Sequence, residues 1–352
     1  MMGLVRKSVL EMEAYRVPKD KISIKLDANE SPYNLGDRLY SLLLQRLQSI
    51  DLNRYPDTDS IMLRKAIGKY VGFPIESILC GNGSDEMIQN IIQTFVEAGD
   101  AVVSHEPSFS MYKVFTTIAG GKFIEIESDA DFAINIGGII EAANANHAKL
   151  IFICNPNNPT GTVITPMEII GLLEATKAMI VVDEAYFEFY GESMIDWIKE
   201  KERLIVLRTL SKGISLAGAR IGYMVAQRQV IDYVYRVKPP YNLNAYSQAL
   251  GELFLENIQM VQDYIRQIVD ARDHLIAQLE TLEEVKIYPS KSNFILIKTS
   301  KASEIQEKCK NMKIGIRFYG KEGVLKDCLR ITVGTKEEND MIKNIFQEVI
   351  AL

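Results

Sequence analysis

Residues 179–186 read MIVVDEAY, four apolar residues that run directly into polar ones. A short apolar run without helical spacing is typical of a strand that is buried on both faces of a sheet. The same pattern recurs at residues 150–154 and 204–207, and residues 87–96, which follow another apolar run at 78–80, have apolar side chains at helical spacing. Strands that alternate with helices predict the α/β class, with a doubly wound, mostly parallel sheet.

The chain of 352 residues is long enough for two domains. For the large sheet we predict strands at residues 78–80, 101–104, 122–125, 150–154, 179–182, 204–207 and 222–225. A long helical pattern follows at about residues 247–282, where we predict one long helix. Beyond it we predict strands at 286–288, 293–298, 314–318 and 328–333, with helices near 302–311 and 336–351. The sequence therefore predicts a large α/β domain at residues 30–245 and a smaller α+β domain made of residues 1–29 and 246–352.

The composition is that of an ordinary soluble globular protein, with 47% hydrophobic and 24% charged residues. Its net charge of −6 gives no general field that attracts nucleic acid or an acidic membrane, so local cations must hold any anionic ligand. The start of the chain has no apolar signal segment, which predicts a cytoplasmic protein. Four scattered Cys and three distant His argue against a disulfide framework and against a metal centre.

Ligands of open α/β sheets bind beyond the carboxyl ends of the strands, where this chain is unusually polar. Residues 81–86, GNGSDE, would open a helix with the amides of Ser84 and Asp85, which is an anion site. By itself this motif is more often a turn and helix cap. Residues 155–161, NPNNPTG, form a loop stiffened by two prolines that can hold Asn158 towards a ligand, although a rigid turn also explains it.

Two charged residues at predicted strand ends need partners. Asp183 ends a buried strand and requires a helix terminus, a metal or a protonated heterocycle nitrogen. Lys212 follows the strand at residues 204–207 among hydroxyl side chains, and Arg220 comes eight residues later. A lysine that is desolvated among cations loses its proton readily and can form a Schiff base with an aldehyde.

These residues together suit one ligand, because they supply a phosphate cradle, a carboxylate, a phenol, an amide and a nucleophilic amine. The set consists of Ser84, Asp85, Thr209, Ser211 and Arg220 for a phosphate, with Asp183, Tyr186, Asn158 and Lys212. Pyridoxal 5'-phosphate has a phosphate, a ring nitrogen that must stay protonated, a phenolate oxygen and an aldehyde. We therefore predict that pyridoxal 5'-phosphate is the cofactor.

The order and spacing of these motifs resemble the fold-type I pyridoxal-phosphate aminotransferases over nearly the whole chain. The combination that carries the resemblance is NPTG at 158–161, Asp183 with Tyr186, Ser211 with Lys212, and Arg220. Four further stretches are similar to the histidinol-phosphate branch of that family: LDANESP at 26–32, NRYPD at 53–57, PPYNLN at 239–244 and LRITVGT at 329–335.

The resemblance implies a homodimer that transaminates histidinol phosphate with 2-oxoglutarate in histidine biosynthesis. It implies that Lys212, Asp183 and Tyr186 are catalytic, that Phe109 stacks on the cofactor ring and that Tyr55 reaches the cofactor phosphate of the neighbouring subunit. The resemblance also implies that Arg330 binds the substrate anion. Arg317, in the neighbouring predicted strand, is a candidate second cation for the phosphate, and Tyr15, Asn29 and Tyr241 are candidates for the imidazole side. For Arg317, a solvated charge on an edge strand is an equal alternative.

Other functions remain open at this point. A threonine-phosphate decarboxylase is very similar in sequence and also binds an amino phosphate monoester, and a broader aromatic aminotransferase is a second rival. A regulator that binds the cofactor without catalysis could dispense with Lys212, so that lysine argues against it. A nicotinamide-binding protein would need the complete glycine-rich fingerprint, which this sequence lacks.

Overall fold

The computed structural model describes residues 4–10, 12, 22–34 and 36–351. The described strands are β1 (Ile24–Lys25), β2 (Ile78–Asn82), β3 (Ala101–Glu106), β4 (Lys122–Glu127), β5 (Leu150–Cys154), β6 (Met179–Asp183), β7 (Leu204–Thr209), β8 (Ile221–Ala226), β9 (Lys286–Tyr288), β10 (Phe294–Lys298), β11 (Ile314–Gly315), β12 (Arg317–Phe318) and β13 (Cys328–Thr332). The described α-helices are α1 (Lys7–Leu10), α2 (Gly36–Gln48), α3 (Ile61–Val71), α4 (Ser84–Phe95), α5 (Met111–Ala119), α6 (Ile136–Ala145), α7 (Pro166–Ala175), α8 (Arg228–Tyr235), α9 (Ala245–Glu256), α10 (Ile258–Leu279), α11 (Ala302–Asn311) and α12 (Lys336–Ile350).

The seven strands predicted for the large sheet all form, in the order β2-β8-β7-β6-β5-β3-β4. Strand β8 is antiparallel to both of its neighbours, and the other pairs are parallel. The predicted doubly wound, mostly parallel α/β sheet is therefore confirmed. Because parallel strands end at one edge, the polar segments that follow them come together there.

Both faces of the large sheet are covered by helices, as the alternation along β6 illustrates. Ile180 and Val182 belong to one hydrophobic cluster, which includes residues of α3, α6, α7, α9 and α10. Val181 points to the opposite cluster, which includes residues of α4, α5 and α8. All three side chains are fully buried, and each such burial stabilises the fold by roughly 1.5–3 kcal/mol.

The C-terminal region forms a four-stranded antiparallel sheet in the order β12-β13-β10-β9, which α10, α11 and α12 cover. The single strand predicted at residues 314–318 is wrong. Residues Ile314 and Gly315 pair in parallel with β1, whereas Arg317 and Phe318 pair with β13, so the chain changes sheets at Ile316. This change brings the N-terminal segment against the small sheet, beside β13.

The single long helix predicted at residues 247–282 is also wrong, because the chain forms two helices. Asn257 ends α9 and begins α10, and its side-chain amide donates to the Leu253 carbonyl over 2.8 Å. An asparagine that bonds to its own backbone competes with helix continuation, and the apolar spacing on either side conceals the break. Across the ranges that the structure covers, no helix has both the length and the apolar character needed to cross a membrane.

Candidate active site

Asp183 is the last residue of β6 and lies deep in the site, with 3% of its surface exposed. Its carboxylate accepts a hydrogen bond from the Tyr112 hydroxyl over 2.7 Å and one from the Ala185 amide over 3.1 Å. Burial raises the pKa of Asp183 to about 6, and the Tyr112 hydrogen bond acts in the opposite direction. The site therefore holds a carboxylate that lacks a positive partner within the described chain.

Tyr186 follows in the turn after β6, and its hydroxyl accepts a hydrogen bond from the Asn29 side-chain amide over 2.9 Å. Burial raises the pKa of the Tyr186 phenol, so the hydroxyl stays protonated. Asn29 has a φ of 55°, and its backbone amide donates to the Thr332 hydroxyl over 3.0 Å. The N-terminal segment is thus fixed beside Tyr186, and the residue expected on the imidazole side contacts this phenol.

Lys212 lies in the turn after β7 and is half-buried. Its ammonium group donates to the Ala28 carbonyl over 2.7 Å. Burial, together with the positive charges of Arg330 and Arg220, lowers the pKa of Lys212 to about 8. A larger fraction of this amine is therefore unprotonated near neutral pH than in an ordinary lysine.

The residues predicted to hold a phosphate come together at the start of α4. Thr209 is the cross-strand neighbour of Gly222. A Cβ added at Gly222 would lie 2.1 Å from the Ser84 amide nitrogen. The Thr209 hydroxyl accepts from the Ser211 amide over 3.1 Å and lies 3.0 Å from the Ser211 hydroxyl. Only glycine at position 222 allows this close approach of helix, strand and loop.

Arg220 completes this corner of the site. Its guanidinium contacts the Asp85 carboxylate over 3.2 Å, and both side chains are partly exposed. A Cβ at Gly83 would lie 2.6 Å from the Arg220 Nη2 atom, so the guanidinium lies directly over the turn that begins α4. An anion at this position would receive backbone amides, hydroxyls and one arginine.

Arg330 on β13 connects the small sheet to the loop at residues 155–161. Its guanidinium donates to the Asn158 side-chain oxygen and to the Asp27 carbonyl. Arg317 on β12 is its direct cross-strand partner, so the two side chains leave the sheet on the same face. Arg330 is buried, whereas Arg317 is exposed and lies over the Tyr319 ring at 5.8 Å.

Phe109 begins the segment that leads into α5 and is partly buried. Its ring meets the Tyr112 ring edge-on, with 5.6 Å between the centroids. Since Tyr112 also bonds to Asp183, the Phe109 ring lies near the buried carboxylate. This is where a ring stacked on Phe109 could direct its nitrogen towards Asp183.

The predicted site residues Tyr55 and Tyr241 lie together on the surface of the chain. Tyr55 is 80% exposed and stacks on Tyr241, which is 47% exposed, with 4.6 Å between the ring centroids. Tyr15 lies outside the described residues.

A family model for class I and II aminotransferases matches residues 21–345. The chain belongs to this enzyme family. A curated histidinol-phosphate aminotransferase from Clostridium novyi (strain NT) is 39% identical, over 97% of this chain and 96% of its own length. One from Ruminiclostridium cellulolyticum (strain ATCC 35319 / DSM 5812 / JCM 6584 / H10) is 39% identical, over 96% of each chain. The predicted aminotransferase membership is confirmed.

Solved structures support the fold of this aminotransferase. The histidinol-phosphate aminotransferase from Sinorhizobium meliloti, determined in complex with pyridoxal-5'-phosphate, has a TM-score of 0.90 at 23% identity, over 99% of this chain and 97% of its own. The L-threonine-O-3-phosphate decarboxylase from Porphyromonas gingivalis has a TM-score of 0.80 at 24% identity, over 94% and 100%. At these identities the likeness establishes the fold.

Sequence reasoning about the aminotransferase missed several residues that support the site. Tyr112 received no role, although it bonds to Asp183, and neither did Asn157, which is 1% exposed. The buried ion pair between Glu184 and Arg208 was also missed. For Arg208 a signal existed, because an arginine that directly follows four apolar strand residues is rarely buried without a carboxylate partner.

Proposed function

We propose that this aminotransferase uses pyridoxal 5'-phosphate to transfer the amino group of histidinol phosphate to 2-oxoglutarate, in histidine biosynthesis. The observation that carries the proposal is the convergence of a buried carboxylate, a nucleophilic lysine and an amide-lined corner at one edge of the sheet. The full-length curated relatives with this activity in their names support the substrate.

The residues fit the proposed cofactor group by group. The corner at Gly222 brings the Ser84 amide and the Thr209 and Ser211 hydroxyls together beside Arg220, where they would hold a phosphate. Asp183 is a buried carboxylate with neutral partners, which suits it to hold a proton on a ring nitrogen. Bound pyridoxal phosphate supplies an electron sink for the carbanion that forms at the substrate Cα.

The roles of the chain's own side chains follow from these positions. Lys212 would attach the cofactor aldehyde and, once its amine is released, move the proton at the substrate Cα. Tyr186 and Asn158 would donate hydrogen bonds to the phenolate oxygen, and Phe109 would support the ring by stacking. Each of these donors lies on a loop that begins at a strand end.

Substrate recognition has to accommodate two different anions. Histidinol phosphate carries a phosphate and no carboxylate, whereas glutamate carries carboxylates and no phosphate. The planar fork of arginine binds either anion with two hydrogen bonds. We assign Arg330 to both substrates and Arg317 to the phosphate, supported by their cross-strand pairing. Tyr15, Asn29 and Tyr241 remain the proposed imidazole-side residues.

Two proposals concern the molecule's assembly and location. We propose a homodimer in which Tyr55 of each chain reaches the partner's cofactor phosphate, supported by the exposure of the Tyr55 ring. We also propose a cytoplasmic location, supported by four cysteines that are all buried and free, as suits a reducing compartment.

The direct test incubates the purified protein with histidinol phosphate and 2-oxoglutarate and measures glutamate. Release of carbon dioxide from threonine phosphate without glutamate formation would instead support the decarboxylase. Faster turnover of aromatic amino acids than of histidinol phosphate would support the broader aminotransferase.

Borohydride should abolish the visible absorption band of the protein and fix the cofactor to the Lys212 peptide. Labelling of another lysine would contradict the assignment of Lys212.

A further inference from the structure

Asn157 lies at the centre of a buried polar cluster between two loops of the site. Its side-chain nitrogen donates to the Pro107 carbonyl over 2.9 Å and to the Thr160 hydroxyl over 2.8 Å. Its side-chain oxygen lies 3.0 Å from the His105 Nε2 atom and accepts from the Ser108 hydroxyl over 3.1 Å. Two donors and two acceptors are the full capacity of an asparagine amide, so the group is completely used.

The Pro107 carbonyl fixes the direction of this network, because a carbonyl can only accept. The Asn157 nitrogen must therefore face Pro107, and its oxygen must face His105. His105 is 1% exposed, and burial lowers its pKa to about 4, so the ring is neutral and donates from Nε2. Its Nδ1 atom has no hydrogen-bond partner within the described part of the chain.

The cluster joins two segments that carry proposed cofactor contacts. Ser108 directly precedes Phe109, and Asn157 directly precedes Asn158. The backbone of Asn157 is held as well, since its amide donates to the Thr162 carbonyl over 2.8 Å. A shift of the Asn157 side chain would therefore move Phe109 and Asn158 relative to each other.

We infer that Asn157 is a positioning residue, whose side-chain amide sets the distance between the ring of Phe109 and the amide of Asn158. The inference rests on the proposed function, since it assumes that these two side chains contact one cofactor. His105 acts through Asn157 by holding the amide in the required orientation.

A purely structural role is the alternative, and the same loop contains a matched control for it. Asn155 is also buried, and among the described residues its side chain bonds only to the backbone of Ile164, over 3.0 Å in each direction. It closes the loop without bridging to the segment before Phe109. Asn155→Ala therefore reports what general loosening of the loop does.

The first experiment compares Asn157→Ala and Asn155→Ala in the holoenzyme. We expect Asn157→Ala to weaken pyridoxal phosphate binding about tenfold, because buried donors and acceptors lose their partners. We also expect it to shift the midpoint, which is the pH at which the cofactor's visible absorption band is half converted, because Phe109 and Asn158 then move relative to each other. Asn155→Ala should lower the melting temperature but leave that midpoint in place. If Asn157→Ala changes only the melting temperature, the inference is overturned.

A second experiment uses His105, since the Nε atom of glutamine occupies the position of the histidine Nε2 atom. We expect His105→Gln to retain the parent midpoint and His105→Leu to shift it as Asn157→Ala does. Equal midpoints in His105→Leu and the parent would contradict the role of His105 in holding the Asn157 amide.

Nitrogen-15 histidine labelling tests the cluster without any cofactor, and the chain has only three histidines. The signal that His105→Gln removes should be a neutral Nε2–H ring that does not titrate between about pH 6 and 8. A ring protonated on Nδ1 would overturn the network. Failure of the proposed function would instead appear as a parent protein without a visible band.

Discussion

The two central side chains of the site both resist ionisation. Burial raises the pKa of Asp183 to about 6 and lowers that of Lys212 to about 8. Both shifts favour the neutral form, so each charge is destabilised unless an opposite charge lies beside it, or until Asp183 takes up a proton and Lys212 loses one. A ligand that brings a protonated ring nitrogen to Asp183 and an electrophilic carbon to Lys212 relieves both conditions.

Lys212→Met should stabilise the cofactor-free protein at pH 7 and raise its melting temperature by about 2 °C or more. The folded-state pKa of about 8 lies below the usual 10.5, so the folded chain binds fewer protons between these values. The unfavourable contribution of Lys212 is therefore complete below pH 8 and vanishes as pH rises through this window. Calorimetry should show that the difference in melting temperature between Lys212→Met and the parent narrows towards pH 10. An equal difference at pH 7 and pH 10 would contradict the lowered pKa of Lys212.

Asp183→Asn should retain cofactor binding but lose transamination about 10²-fold or more, because an amide cannot hold the ring proton electrostatically.

Tyr112→Phe tests the same carboxylate more gently. The Tyr112 hydrogen bond lowers the pKa of Asp183, so its loss should raise that pKa. Cofactor affinity should then begin to fall at a higher pH when the solution is acidified. Titrating the dissociation constant from pH 5 to pH 8 checks this, with Asp183→Asn as the variant that should show no such dependence.

Arg330→Ala should weaken both half-reactions, whereas Arg317→Ala should raise KM for histidinol phosphate about tenfold more than KM for glutamate. The reason is that only the phosphate substrate contacts the guanidinium of Arg317, and a charge-assisted hydrogen bond contributes roughly 1.5–3 kcal/mol. Steady-state kinetics of the two variants with each amino donor measure the split. Equal losses in Arg317→Ala would leave it as a solvated charge on the edge strand.

At the scale of whole elements, the sequence predicts the large sheet well and the contacts between its strand ends poorly. Apolar runs such as residues 150–154 define strands because burial on both faces leaves no other pattern. The break in strand pairing at Ile316 has no local signal, since Ile314, Ile316 and Phe318 keep the alternation of a single strand across it. Likewise, Asp183 shows its need for a partner, but Tyr112 lies 71 residues away and only the fold brings it there.

The ends of β6 and β7 are joined by the buried ion pair of Glu184 and Arg208, whose side chains are 2% and 3% exposed. The guanidinium contacts one Glu184 oxygen over 3.0 and 2.9 Å, and the Met194 amide donates to the other over 2.7 Å. Arg208 also lies over the Phe187 ring at 3.6 Å. Glu184 directly follows Asp183, so this pair fixes the strand end that carries the buried carboxylate.

Arg208→Met should therefore lower stability by roughly 3–5 kcal/mol, because it leaves Glu184 buried without a cation. Adding Glu184→Gln should recover part of the loss, since the uncompensated charge is then gone. Urea unfolding of the two single variants and the double variant forms a thermodynamic cycle that measures this coupling. Losses that simply add would show that the two side chains do not act as a pair.

At the scale of the whole molecule, one hydrophobic cluster continues from the large sheet into the C-terminal region. It includes Leu253 of α9 and Val261 of α10, together with Phe294 and Val333 of the smaller region. A shared cluster of this kind holds the two halves of the site in fixed relation, with Lys212 on one side and Arg330 on the other. The bounds of the two domains stay a prediction from the sequence.

The surface that carries Tyr55 bears on assembly. Tyr55 stacks on Tyr241, and nearby the exposed Tyr235 hydroxyl donates to Asp59 over 2.6 Å. Exposed aromatic rings grouped in this way are typical of a protein interface. If the interface joins two copies, each site would combine Lys212 of one chain with Tyr55 of the partner subunit.

Subunit mixing tests this arrangement. Lys212→Ala should be inactive, and Tyr55→Ala should be impaired, because its phosphate corner loses a hydroxyl that only the partner chain supplies. A mixed dimer would contain one site with the Lys212 of the Tyr55→Ala chain and the Tyr55 of the Lys212→Ala chain, so that site is intact. Refolding the two variants together should therefore yield more activity than either alone, up to half that of the parent per dimer. Activity no higher than that of the separate variants would place Tyr55 in its own subunit's site, or outside the sites altogether.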